Sequence, residues 1–389
     1  MCFPDWKTLR EYLFMRVLGL SLFLLGISFL PYFWCSREAD SYFDDSYERQ
    51  LALQAGTESW LKRSLGINDY KTSSKQFSGE WLFGTYLMAG LGFGQMALLH
   101  PGLKERNIPL VEECIAKILS PEVRQFDKES WGDDPLETLG TDKSAHMAYL
   151  GYLNLLLSLD RLLHPGTSYA RLNDDITAAL ARRLEKSPIL LIETYPCERY
   201  PVDNCSAIAS FRLYDRATGA DHSELIRRWI GNCRERYLDK KSGLLIQAVG
   251  TEGQSLDAPR GSGSTLGLYF LSYADPLLAK SLYAAVKREL AGTIFSFGAV
   301  REYPRRGFEN RMDIDSGPII LGYGFSSTGF CLAGSRIFGD RAYFRRLYAT
   351  AYFAGAPFDK DGARTFVTGG PLGTAILFAM LTAAKEGAQ

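Results

Sequence analysis

Histidine is scarce in this chain: four in 389 residues, at positions 100, 146, 164 and 222. No two have metal-ligand spacing, and their positions define no Ser/His/Asp set. An excess of charge is also missing, with 44 Lys and Arg against 44 Asp and Glu. No basic block or stripe stands out, which argues against a nucleic-acid partner. The seven cysteines include no pair at zinc-site spacing. Cys2 and Cys35 belong to the N-terminal segment. Cys114, Cys197, Cys205, Cys233 and Cys331 remain, an odd number that leaves at least one thiol free in a monomer. Sequence-similar repeats are absent too, so a regular solenoid is not expected.

Long hydrophobic runs are few, and one is conspicuous. "RVLGLSLFLLGISFLPYFWC", residues 16–35, carries no charge after Arg16. Roughly 20 such residues suffice to cross a bilayer as a helix. Lys7, Arg10 and Arg16 lie on one side; Glu38, Asp40, Asp44 and Asp45 lie on the other. The positive-inside rule then predicts a cytoplasmic segment 1–15, an anchor 16–35, a linker 36–46 and an outward-facing domain 47–389. A cleaved signal peptide would end in small residues, and "LPYFWCSREAD" offers bulky aromatics instead.

Beyond residue 46 the apolar spacing is helical almost throughout. It predicts helices over 46–66, 79–101, 110–119, 144–166, 172–187, 205–219, 222–239, 262–275, 276–290, 317–339, 340–355 and 371–387. Segments such as 79–101 and 317–339 are rich in Gly, Ala and aromatics. Neighbours such as 172–187, 222–239 and 340–355 carry Arg/Lys/Glu faces. Alternation of apolar and amphipathic helices over six pairs predicts an all-α (α/α)6 barrel, with a small strand pair near 243–253. In such a toroid, loops before the inner helices converge on a central pocket.

Three polar clusters precede apolar helices. "WGDDPLETLGTDKSAH" (131–146) holds Trp131, Asp133, Asp134, Asp142 and His146. Trp131 and Asp133 suit a pocket wall. Asp142 suits an N-cap, and Asp134-Pro135 a turn. "YPCERYPVDN" (195–204) brackets Glu198, Tyr200 and Asp203 between Cys197 and the following Cys205. Asp203 or Asn204 is expected to cap the next helix. "REYPRRGFENRMDIDSGP" (301–318) holds Glu302, Tyr303, Arg311, Asp313 and Asp315. In an extended segment Asp313 and Asp315 face the same way, and like charges held close raise one pKa.

These stretches resemble the linalool dehydratase/isomerase domain family. "LFGTYLMAGLGFGQMALLHPGLK" is similar to an early inner helix of that family, and "WGDDPLETLGTDKSAHMAYLGYLNLL" to its Trp-Gly-Asp turn, Gly-Thr-Asp and Leu-Asn-Leu helix. "CERYPVDNCSAIA" is similar to its Cys-Glu-Pro-Asp-Asn loop, one residue different in spacing and interrupted by "RYPV". The resemblance covers roughly residues 50–385. It implies an (α/α)6 barrel and a cofactor-independent hydration, dehydration or isomerisation of an alcohol. Cys197, Glu198 and Cys205 would do the proton work, with Tyr152 standing where the family has histidine. A second reading is an envelope glycan hydrolase, lyase or epimerase. Its acid and base would come from Glu80, Glu198, Asp203, Glu302 and Asp313, with aromatic residues (13% of the chain) stacking on sugars. A third is a non-catalytic envelope module whose polar clusters are only caps and turns.

Overall fold

The computed structural model describes residues 6–304 and 316–385. Its helices are α1 (Trp6–Ser28), α2 (Leu30–Ser36), α3 (Ala39–Phe43), α4 (Tyr47–Leu61), α5 (Lys75–Leu99), α6 (Lys104–Ile118), α7 (Pro121–Trp131) and α8 (Met147–Leu163). There follow α9 (Ala170–Lys186), α10 (Pro201–Thr218), α11 (Ser223–Asn232), α12 (Gly261–Ala274) and α13 (Pro276–Glu289). The series ends with α14 (Phe325–Ile337), α15 (Arg341–Gly355) and α16 (Gly370–Leu381). Three antiparallel hairpins intervene: β1 (Ala291–Ile294) with β2 (Phe297–Val300), β3 (Ile319–Ile320) with β4 (Tyr323–Gly324), and β5 (Pro357–Lys360) with β6 (Ala363–Phe366).

Local chemistry punctuates these helices. Proline at the first helical position and a side-chain cap start α7, where Ser120 accepts from the Val123 amide, and α13, where Asp275 accepts from the Leu278 amide at 2.8 Å. Asp340 caps α15 in the same way. Gly219, at φ +77°, closes α10 in the left-handed region that glycine adopts without strain.

The apolar helices α5, α8, α10, α12, α14 and α16 pack each against the next, and α16 packs back on α5. This closes an inner ring, with α4, α6, α9, α11, α13 and α15 outside it. Alternate Gly90, Gly92 and Gly94 on α5 permit close approach. A Cβ at these sites would strike Leu156, Phe378 and Leu159 respectively. Since the inner helices run parallel, all their N-termini lie at one end, the mouth.

The opposite end is closed by a polar crosspiece. Gln95 near the end of α5 reaches across the ring to α12. Its Oε1 accepts from Tyr269 (3.0 Å) and Tyr273 (2.9 Å), while its Nε2 donates to the Ala379 carbonyl (2.9 Å) and Thr382 Oγ1 (3.1 Å). All four side chains are buried or nearly so.

Several expectations need correction. Residues 317–324 form the β3–β4 hairpin rather than the start of a helix, because Gly317, Leu321 and Gly322 take positive φ. Around 243–253 only isolated bridges form, including Leu238 with Leu245 and Val249 with Ser255. The supposed linker 36–46 is packed structure. Ala39, Tyr42 and Phe43 are buried, Glu38 pairs with Arg364, and the buried Arg336 binds the Tyr42 and Phe43 carbonyls and Asp45. The apolar run 16–35 divides at Phe29: α2 lies on α15, burying Cys35, whereas the described α1 side chains stand exposed up to Ile27. Asp142 pairs with Arg182 and Lys186 instead of capping α8. Asp134 does begin a turn, accepting from the Leu136 amide.

Replacing Gln95 with Leu removes the acceptor shared by two buried tyrosine hydroxyls and cuts two bonds to the α16 end. We expect a loss of roughly 1–3 kcal/mol in urea unfolding, with helical circular dichroism retained.

Candidate active site

Connections at the closed end are short, for example Asp275 alone between α12 and α13. Those at the mouth are long, and they bring polar side chains over the open ring. An added Cβ at Gly329 on α14 or Gly373 on α16 would meet nothing within 4 Å, so both inner helices border open space near the mouth.

Two carboxylates face each other's neighbours here. Glu80, in the second turn of α5, accepts a hydrogen bond from the Tyr195 hydroxyl through Oε1. Asp203, in the first turn of α10, accepts from Tyr152 (2.6 Å) on Oδ1 and from Thr194 (2.8 Å) on Oδ2. Adjacent residues 194 and 195 thus bridge the pair. Burial, with the negative charge of Asp203, raises the Glu80 carboxyl to about 7 against the bonds from Tyr195 and Gln76. Burial raises Asp203 to about 6, and its two hydroxyl donors restrain the rise. Both side chains keep partial solvent access. Asp203 therefore does not cap α10. Tyr200 occupies the cap position without a side-chain bond, and Asn204 turns to the Ile192 amide and carbonyl.

Behind the pair lies His146, fully buried and at φ +53°. Its Nδ1 is 2.6 Å from Asp127 Oδ2 and its Nε2 is 3.0 Å from Asp133 Oδ1. Ser144 also donates to Asp133, and the Trp131 ring lies 5.0 Å from the imidazole. Burial lifts the Asp127 carboxyl above its usual range, partly offset by His146. Asp127 in turn adds negative potential at Glu80 and Tyr195. His146, Asp133 and Trp131 thus form one supporting layer. With no solvent exposure, His146 holds Asp127 and Asp133 in place and does not reach a ligand.

The 195–205 loop separates its cysteines. Cys197 is exposed at a turn tip with φ +68°, between Tyr195 and Glu198, which share a backbone bond of 2.9 Å. Cys205 is fully buried, donates to the Pro201 carbonyl, and has its thiol pushed well above the ordinary range by burial. The two sulfurs are not disulfide-bonded and share no cavity. Glu198 is exposed and accepts from Tyr200 (2.6 Å), away from Asp203.

Glu302 is sealed between the starts of α12 and α14. It accepts from Ser262 Oγ (2.5 Å) and the Ser262 amide (3.2 Å), and a Cβ on Gly324 would press against its Oε2. Burial raises its carboxyl to about 7, opposed by Ser262 and by the charge of Arg260. With 0% exposure it holds a helix start and does not reach a ligand. Tyr303 is buried beneath Arg260, 5.6 Å from its ring centre. Asp313 and Asp315 lie outside the described residues. Among the described residues no group of three His, Cys, Asp or Glu is arranged to hold a metal. Glu80 and Asp203 stood among the sequence candidates. Tyr195, Thr194 and Asp127 did not, because nothing local marks their partners.

Glu302 has a folded pKa above its unfolded value, so its favourable contribution is complete below about 4.5 and is lost as pH rises through about 7. Glu302→Gln should therefore nearly match wild-type stability at pH 4 and exceed it at pH 8, by up to ~3 kcal/mol. Thermal unfolding at the two pH values checks this.

No family model matches the chain, and no curated protein matches it in sequence. Solved structures do resemble it. A family 105 glycoside hydrolase from C. acetobutylicum ATCC 824 is 11% identical, aligns over 85% of this chain and 98% of its own, and gives a TM-score of 0.55. A family 76 α-mannanase from Bacteroides thetaiotaomicron is 12% identical over 77% of this chain and 85% of its own, at 0.49. Dfg5 from Chaetomium thermophilum, solved with glucosamine, is 12% identical over 80% and 82%, at 0.47. The first likeness bears on architecture, and what this chain shares with it is the fold, a toroid of paired helices.

Proposed function

We propose that the chain is a membrane-anchored enzyme that cleaves a glycosidic bond with Glu80 and Asp203 as paired acid and base. The observation that carries this reading is the pair itself: two partly accessible carboxyls at an open barrel mouth, both raised by burial, to about 7 and about 6. Glu80, the weaker acid, holds its proton in this range and gives it to the departing glycosidic oxygen. Asp203 is kept ionised by Tyr152 and Thr194 and takes a proton from the water that attacks the anomeric carbon. Tyr195 orients Glu80. The glycoside hydrolase of similar fold supports the substrate class by analogy only. The isoprenoid reading would need both sulfurs at one cavity, and Cys205 is sealed away.

For the anchor we propose the apolar run that begins at Arg16 in α1, with residues 1–15 in the cytoplasm and the barrel outside. The described side chains from Arg10 to Ile27 are exposed, so the barrel does not cover them.

Reducing-end release from a panel of envelope glycans tests the chemistry. Glu80→Gln and Asp203→Asn should each lower kcat/KM by about 10²–10⁴-fold. Cys197→Ala and Cys205→Ala should leave it near wild type. Loss of activity in the cysteine variants with the carboxylate variants intact would sink the proposal and restore the isoprenoid one.

The pH profile of kcat/KM should be bell-shaped. The acid limb falls as Asp203 is protonated below about 6. The alkaline limb falls as Glu80 ionises above about 7. Glu80→Gln should remove the alkaline limb from the residual rate.

A further inference from the structure

Large apolar side chains are exposed unevenly on the barrel. Among the described residues beyond α2, they sit in mouth-end connections or in helix turns bordering them, except for Tyr47 and Leu277. Two of them occupy hairpin tips. Phe295 (71% exposed) joins β1 to β2 and Leu321 (73% exposed) joins β3 to β4. Both tips are two-residue turns with positive φ at each position: +47° and +74° at Phe295-Ser296, +53° and +82° at Leu321-Gly322. Such turns ordinarily favour Asn or Gly first, and a bulky residue there is strained. The chain thus bears a backbone cost to hold a large apolar group at each tip, where packing gains it nothing.

This rim is continuous with the N-terminal helices. The Tyr32 ring on α2 lies 5.8 Å from Phe297, and Phe297 lies 5.7 Å from Phe353, which is itself 68% exposed. The exposed α1 therefore leaves the barrel beside the β1–β2 hairpin.

We infer that the mouth-end rim rests in the surface of the bilayer that α1 crosses, and that the substrate is a saccharide carried on a lipid. Separate protruding apolar points suit insertion among acyl chains better than a flat self-complementary contact with a second copy. A mouth held at headgroup level meets glycans attached to lipid before those free in solution. The inference rests on the two readings above: α1 as a span, and Glu80 and Asp203 as the glycan-cleaving pair.

The full chain in vesicles of phosphatidylcholine and phosphatidylglycerol bearing a photoactivatable acyl chain provides the test. After irradiation, peptides containing Phe295 and Leu321 should be labelled together with α1, and the peptide containing Leu277 should not. The double variant Phe295→Asn, Leu321→Asn suits the positive φ and should fold. It should lose labelling at both turns and keep it in α1. Cleavage of a lipid-attached saccharide should then fall by at least ~10-fold, the weight of one large apolar side chain returned to water. Cleavage of the same saccharide in water-soluble form should stay unchanged. Labelling of the turns no higher than at Leu277, with α1 labelled, overturns the docking, as does turn-to-turn crosslinking between two copies. An unlabelled α1 overturns the anchor and the docking with it. Labelled turns with no saccharide cleaved by any form retain the docking and overturn the lipid-linked glycan substrate.

Discussion

The structure depends on closing a ring of six helices around an axis where side chains from opposite walls must meet. Gln95 makes that meeting possible at one end. Its amide has two donors and a carbonyl oxygen, and all are used: by two tyrosines on the opposite helix and by the end of α16. A buried amide with any of these unpaired would cost more than an apolar residue, so the four partners hold one another in place. The glycines on α5 work with it, bringing α8 and α16 close enough for the ring to close. Sealing one end confines accessible chemistry to the other.

At that other end two electrostatic effects oppose each other. Six helix N-termini converge with partial positive charge, each worth roughly 0.3–1 kcal/mol to a nearby anion in the first turn. Burial penalises the same anions. For Glu80 and Asp203 burial prevails, since both carboxyls are raised. Glu80 has the Tyr195 hydroxyl and Gln76 as donors and two negative neighbours, Asp203 and Asp127, whereas Asp203 has two hydroxyls, one on each oxygen. The ordinary glutamate value already lies above the aspartate value, and burial lifts both carboxyls, which leaves Glu80 the better proton donor and Asp203 the better proton acceptor.

The neighbourhood of residues 195–205 shows how much of this was legible in advance. Its polar content and position before an apolar helix mark it as mouth-facing, and Asp203 is a candidate on that ground. The same reasoning gives the cysteines a joint role that the fold denies them. Eight residues apart, one falls on a turn tip and the other one helical turn inside α10, facing packed side chains near Gly267 and Leu245. Glu302 misleads for a similar reason. A carboxylate before an inner helix looks poised for catalysis, but Gly324 lets α14 close over it. Tyr195 lies 115 residues from Glu80, and its hydroxyl has no local signal.

By itself the sequence determined most of the periodic elements: the greater part of the helical segments, where Pro and Gly stop them, which faces are apolar, and that residues 16–35 form a long apolar run. Those properties depend on spacing of a few residues along the chain. The tertiary structure alone decided which polar residues meet. It placed Tyr195 on Glu80, Asp127 and Asp133 on His146, and Glu38 on Arg364, across separations from 13 to 326 residues. Hydrogen bonding and desolvation act over a few ångströms of space, and only the closed ring sets those distances.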